Sequence, residues 1–320
     1  MPRPPGRPEG AGPLLGEGVC DAASAAGLGE VVPRPPGRPE GAGPLLGEGG
    51  CDAASAASLG EVVMIHVEGV GAGPPLVLLH GWGLHAGLFS PLLPSLARRT
   101  RVHAVDLPGH GRSAPVSPCT LDAIVDAVAG ALADERGPLT VLGWSLGGLV
   151  AMRWALRDPE RIARLVLVTT SPRFVAGPDW PHAMSAETLE RFGDELEVAW
   201  RPTLQRFLTL QVQGSEEGRA TLALLRHHLH ARGDPSPHAL HETLDVLAST
   251  DLRGDVSRIG ARTLVIAGAR DTLVPAAAGE WLARALPAAT YARIEGAAHA
   301  PFLSHREAFD RALDGFLDAR

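Results

Sequence analysis

The sequence predicts an α/β fold: a mostly parallel sheet with helices on both faces and a helical cap inserted in the second half of the chain. Three observations predict it. From Met64 onward, short apolar runs of strand length alternate with segments of helical spacing. Several of those runs are apolar at successive positions, as strands buried on both faces must be. One interval, residues 171–250, breaks the alternation and is helical in pattern.

Taken in order, PLVLLH (75–80) is a wholly apolar run that ends in HGWG, a buried strand followed by a loop. RVHAVD (101–106) is a second strand, halted by the turn residues of LPGHG (107–111). LDAIVDAVAGALADE (121–135) has helical spacing and stops before Gly137-Pro138. LTVLGW (139–144) is a third strand, and an Ala- and Leu-rich helix over 146–157 closes at Asp158-Pro159. ARLVLVTT (163–170), ARTLVIAG (261–268) and ATYARIEG (289–296) supply the remaining strands. The interval 171–250 carries many Arg, His and Glu and no buried strand, as a cap over the strand ends would. Ligands of open α/β sheets bind at the carboxyl ends of the strands, so such a cap covers the site.

Composition narrows the function classes. The 320-residue chain is 45% hydrophobic and 20% charged, enough apolar matter for a substantial core. A net charge of -7 gives no general attraction to nucleic acid or to an anionic membrane, and no apolar run is long enough to span a bilayer. No basic segment followed by an apolar one marks a secretory signal, and three cysteines do not make a disulfide framework. The chain is expected to be a cytoplasmic monomer with neither metal nor cofactor. All 29 basic residues are arginine, a bias that matches a GC-rich coding sequence.

Residues 2–32 recur as residues 33–63 with two changes, Val19 to Gly50 and Gly27 to Ser58. Each copy opens PRPPGRPEGAG, which holds neither a helix nor a strand ladder. Two such units lack an apolar face to stack, so residues 1–63 are expected to be a disordered tandem repeat, and 64–320 the folded domain. Cys20 and Cys51 are two copies of one position and, with no His in either repeat, not a metal site.

Gly143-Trp144-Ser145-Leu146-Gly147 places G-x-S-x-G directly between a strand and a helix. A serine at so sharp a turn is strained and projects above the sheet at a helix N-terminus, where the dipole favours a developing anion. A serine needs a base. Among thirteen histidines, His299 in EGAAHAPF follows the last strand, among small residues that let a loop approach the serine. His227, His228 and His230 lie on a cap helix, His305 starts the C-terminal helix, and His80 and His110 read as loop braces. Asp271, in GARDTLVP after strand 261–268, can fix the imidazole tautomer; Asp251 and Asp255 precede that strand instead of following it. The oxyanion donors expected are the N–H of Leu146 and that of Trp82 in the HGWG loop, whose ring would also wall the pocket.

In this order LHGWG, DLPGHGRS, GWSLGG, GARDTLVP and AAHAPF resemble the α/β-hydrolase family over essentially all of residues 64–320. More narrowly, GWSLGG with AAHAPFLSH and RFLTLQVQG (206–214) resembles the BioH carboxylesterases, which cleave the methyl ester of pimeloyl-acyl-carrier protein in biotin synthesis. The resemblance implies an α/β-hydrolase fold, a Ser145, His299 and Asp271 triad, and ester hydrolysis through an acyl-enzyme. It implies substrate contacts at Trp82, Ser145, Leu146, Phe207, Leu208, Thr209, Leu210, Gln211 and His299. It also implies an acyl-carrier protein as partner, docked on cap arginines such as Arg206 and Arg219. Residues 199–232 hold five Arg against two Glu, a local basic excess in an acidic chain. Other uses of the same machinery stay open: a general carboxylesterase or lactonase, a proline iminopeptidase, a perhydrolase. A non-catalytic binding protein on the hydrolase fold is the alternative of a different class.

Overall fold

The computed structural model describes residues 63–319. The tandem repeat therefore lies outside the described residues except for Val63, which is half-buried against the core.

Seven strands form one sheet: β1 (Val67–Val70), β2 (Pro75–Leu79), β3 (Arg101–Val105), β4 (Leu139–Trp144), β5 (Ile162–Val168), β6 (Arg262–Gly268) and β7 (Ala289–Ile294). Their order is β1-β3-β2-β4-β5-β6-β7, with β1 antiparallel to β3 and every other pairing parallel. The central β2 is buried at all five positions, while the edge strands β1 and β7 are partly exposed. That gradient is why the central strands read as apolar runs and the edges do not. VEGV, with Glu68 and Gly69, gives no run by which to delimit β1.

Nine helices are described: α1 (Leu93–Leu96), α2 (Leu121–Ala131), α3 (Leu146–Arg157), α4 (Ala186–Gln211), α5 (Gly218–Leu229), α6 (Pro237–Ser249), α7 (Ala276–Ala285), α8 (Pro301–Ser304) and α9 (Arg306–Asp318). Thr120 starts α2 by accepting the Ala123 N–H, and Ser236 does the same for α6 at Ala239. α3 packs on β2, β4 and β5, and α7 and α9 pack on β6 and β7. The helix expected to reach residue 135 ends at Ala131, where the chain turns toward the positive-φ Gly137. The strand expected to reach residue 170 ends at Val168, because Thr169 takes φ 40° and leaves the extended region.

Between β5 and β6 the chain leaves the sheet. Residues 171–185 are not helical: Pro172, Pro178 and Pro181 interrupt helical bonding, and isolated bridges join Val175 to Met184 and Arg173 to Asp251. Trp180 anchors this strap edge-on against Trp281 of α7, 5.1 Å between centroids. The helices α4, α5 and α6 follow. α4 breaks at Ala199 (φ -152°, ψ 66°), three residues before Pro202, whose ring excludes a straight continuation. Thr203 Oγ1 donates to the Glu195 carbonyl across the break, 3.1 Å. Among the described residues, no helix is long and apolar enough to cross a membrane.

Candidate active site

Ser145 sits between β4 and α3 with φ 55° and ψ -117°, a conformation that costs a non-glycine residue about 1–3 kcal/mol. The surroundings over-determine it. Ser145 N–H donates to the Val168 carbonyl at 3.0 Å, and its own carbonyl accepts from Gly148 N–H at 2.9 Å and Thr170 Oγ1 at 2.7 Å. Helix and strand approach so closely that a Cβ on Gly147 would fall 2.2 Å from the Leu79 carbonyl oxygen. Glycine is required there by space, not by flexibility.

Asp271 follows β6 and His299 follows β7. The His299 Nδ1 lies 2.7 Å from Asp271 Oδ2, and both side chains are essentially inaccessible to solvent. The other carboxylate oxygen, Oδ1, accepts the N–H groups of Leu273 (2.9 Å) and Val274 (3.0 Å). The His299 backbone is held as well: its N–H donates to the Gln211 carbonyl at 3.0 Å, and its carbonyl accepts from Trp144 Nε1 (2.8 Å) and Thr169 Oγ1 (2.7 Å). With Nδ1 committed to the carboxylate, the ring presents Nε2 for proton transfer. Asp251 instead pairs at the surface with Arg253 and Arg173, and Asp255 with Arg258.

Ser145 and His299 line one cavity of about 320 Å³. Its walls are almost wholly apolar: Trp82 from the loop after β2, Phe174 and Met184 from the strap, and Leu189, Phe192, Phe207 and Leu210 from α4. Leu244 and Leu247 of α6 and Leu273 and Val274 beside Asp271 complete them. Trp82 meets Phe192 and Phe207 edge-on at 5.5 and 5.0 Å. Three charged residues, Arg191, Glu195 and Arg206, also line it; both arginines are exposed, so they mark the mouth.

The loop after β2 is braced from below by His80. Its Nε2 lies 2.8 Å from the Leu107 N–H and must accept, so the proton is on Nδ1, which donates to the Gly81 carbonyl at 2.8 Å. That carbonyl shares a peptide plane with the Trp82 N–H. Burial pushes His80 down to about 3, with the neighbouring His110 adding to the fall and Asp106 opposing it, so the ring stays neutral. His110 likewise braces its loop, with Nδ1 2.9 Å from the Pro108 carbonyl. Among the described residues no hydrogen bond engages the N–H of Trp82 or of Leu146, the latter the first orphan donor of α3.

The five-residue run Phe207–Gln211 divides between faces. Successive helical residues turn by about 100°, so they cannot all face one cavity. Phe207 and Leu210 face it. Leu208 is buried in the core beside it, and Thr209 is exposed and returns its hydroxyl to the Gln205 carbonyl. Neither of these two, expected among the substrate contacts, lines the cavity. Gln211 is buried behind His299 and reaches it through its backbone carbonyl. The basic excess of 199–232 also divides: Arg201 pairs with Asp234, Arg206 with Glu195, and Arg232 turns inward to Asp106 and Glu68. Arg219 and Arg226 remain exposed with no acidic partner among the described residues. Phe192, Leu189, Leu244 and Leu247 were not named from the sequence, although Leu189, Phe192 and Leu196 recur at helical spacing on one face of α4.

Residues 74–306 match the family model for the alpha/beta hydrolase fold. The chain belongs to the α/β-hydrolase family. Within it, the chain is similar to the pimeloyl-[acyl-carrier protein] methyl ester esterase of Chromobacterium violaceum, 44% identical over 256 residues that cover 80% of this chain and 99% of the relative. The enzyme of that name from Xanthomonas axonopodis pv. citri is 45% identical over 254 residues, 79% of this chain and 98% of the relative. Among solved hydrolase folds, an esterase from Exiguobacterium antarcticum superposes with a TM-score of 0.73 at 22% identity, covering 80% of this chain and 96% of that one, a likeness of fold alone.

Proposed function

We propose that this hydrolase is a serine carboxylesterase that cleaves the methyl ester of pimeloyl-acyl-carrier protein, releasing methanol and the free carboxylate in biotin synthesis. The observation that carries the reading is Ser145 and His299 lining one apolar cavity, with Asp271 paired to the imidazole behind it, in a chain 44% identical to an esterase of that name. His299 Nε2 takes the Ser145 hydroxyl proton as Oγ attacks the ester carbonyl, and Asp271 holds the imidazole in the required tautomer. The negative charge on the tetrahedral oxygen falls to the unengaged N–H groups of Trp82 and Leu146, a pair of donors each worth about 3 kcal/mol when removed. The proton passes from His299 to the departing methoxide, and a water deprotonated by the same nitrogen then releases the acid from Ser145.

The cavity suits this chain length. A pimeloyl group offers five methylenes, each worth about 0.8 kcal/mol when buried, and the Trp82, Phe192 and Phe207 walls take them without a polar partner. The charged mouth at Arg191 and Arg206 would lead the far end of the acyl chain outward to its carrier. Exposed Arg219 and Arg226, seven residues apart on α5, and Arg206 at the cavity mouth are the cap arginines that an acidic carrier protein would meet. The test is complementation of a biotin auxotroph that lacks this esterase. The chain is expected to restore growth without biotin, and Ser145→Ala is expected not to; growth with both or with neither overturns the reading.

A further inference from the structure

Residues 82–87, which carry the Trp82 N–H, are tied to α6, to α5 and to Asp106 after β3. Trp82 Nε1 donates to the Leu240 carbonyl of α6 at 2.9 Å. His85 Nε2 lies 2.6 Å from the His228 carbonyl of α5. The Ala86 N–H donates to Asp106 Oδ1 at 2.8 Å, and the same carboxylate receives Arg232 Nη1 on both oxygens at 3.0 Å. A Cβ on Gly87 would come 3.0 Å from Arg232 Nε. Among the described residues Arg232, in the link between α5 and α6, is the only arginine paired with Asp106, the carboxylate that holds the Ala86 N–H, with 8% of its side chain exposed and none of Asp106's. Its second nitrogen pairs with Glu68 of β1. A surface arginine added for charge would not be turned inward onto a fully buried aspartate; this one trades solvation for a fixed geometry.

We propose that Arg232 is a positioning residue for the oxyanion loop: it locks the helical segment onto residues 82–87 and so sets the direction of the Trp82 N–H. The inference rests on the serine-hydrolase reading above. The loop is braced from two sides, by His80 directly after β2 and by Arg232 from the helical segment. If the helical segment shifts, the Trp82 donor shifts with it, and the loss falls on the transition state, where the oxyanion exists, more than on the ground state.

The experiment compares the parent with Arg232→Met and Arg232→Lys on p-nitrophenyl butyrate, and measures inhibition by an alkyl trifluoromethyl ketone, which forms a tetrahedral oxyanion on the serine. Arg232→Met is expected to lower kcat about 10–100-fold with KM within about twofold, as sub-ångström to ångström misplacement does. The inhibition constant of the ketone is expected to rise by the factor that kcat/KM falls, and Arg232→Lys to recover most of both. Should Arg232→Met fail to fold, Glu68→Gln, which frees one side of the guanidinium, reads the same split at smaller size. A folded Arg232→Met with unchanged kcat, a loss confined to KM, or an unchanged ketone constant overturns the proposal. A parent that neither turns over the ester nor binds the ketone fails the serine-hydrolase reading itself, and the proposal falls with it. A fully active parent that Arg232→Met equals sinks the proposal alone.

Discussion

The strand ends and the helical segment above them wall one cavity by different means. At the strand ends, Ser145, Asp271 and His299 are fixed by main-chain hydrogen bonds: two N–H groups on Asp271 Oδ1, two donors on the His299 carbonyl, three on the Ser145 carbonyl. In the helical segment the cavity face is made by side-chain packing of Leu189, Phe192, Phe207 and Leu210, on a helix broken at Ala199. A group held by backbone geometry has one place to be. A packed apolar side chain can be replaced by another of similar volume. The strand ends should therefore govern rate and the apolar cavity face of the helical segment affinity, with Arg232 set apart because it acts on the loop that carries the Trp82 N–H.

The largest effect expected from that contrast is at Ser145. Ser145→Ala should lower kcat by on the order of 10⁶ with the melting temperature unchanged, read from initial ester hydrolysis and circular dichroism. Asp271→Asn should lower it by roughly 10⁴, because an amide in place of the carboxylate turns the His299 tautomer around. Asp251→Asn proving the more damaging change would break the assignment of the acid.

Acid sensitivity should be concentrated in the strand-end loops. His80, His85 and His110 are all held below the ordinary histidine range, chiefly by burial; on the helical segment only half-buried His228 is lowered in the same way, while His227, His230 and His238 are exposed. For His80 the folded value is about 3 and the unfolded value about 6.5, so between these the unfolded chain binds the extra proton. Stability is then full above pH ~6.5 and falls as pH drops toward 3, by up to ~1.4 kcal/mol per unit for each such proton. Urea titrations across pH 4–8 should show this slope, and His80→Gln should flatten it. A parent whose stability is level down to pH 4 would contradict the assignment of the slope to buried neutral histidines.

Much of the strand-end chemistry was legible because its signals are short-range. A serine between a strand and a helix leaves room only for glycine at Gly147, and a loop Asp after β6 has few places to go. The helical segment was legible as helix but not as face. Reading Phe207–Gln211 as one contact run ignores the 100° step that sends Thr209 to solvent, and counting arginines does not reveal that Arg232 points inward onto Asp106. Such pairings join positions 126 residues apart, and nothing local encodes them.

Smaller effects sharpen that point. Phe207→Ala should cost about tenfold in kcat/KM through KM, by removing a wall of the cavity, while Thr209→Ala should cost nothing. Equal losses would mean the helix phase is misassigned. Smaller still, Arg219→Glu should raise KM for a carrier-linked ester roughly two- to fivefold and leave a small ester untouched, since an exposed charge pair contributes about 0.2–1 kcal/mol. Added salt should erase that difference.

Ser145, His299 and Asp271 are expected to cleave a carrier-bound methyl ester. Pimeloyl-acyl-carrier protein methyl ester should be incubated with the parent and with Ser145→Ala, and the free-acid carrier product measured by mass spectrometry. The parent is expected to convert it completely with the thioester to the carrier intact, and Ser145→Ala to yield none above the uncatalysed background. Cleavage of the thioester, product formation by Ser145→Ala, or a parent that hydrolyses small esters but leaves this one untouched would contradict the account.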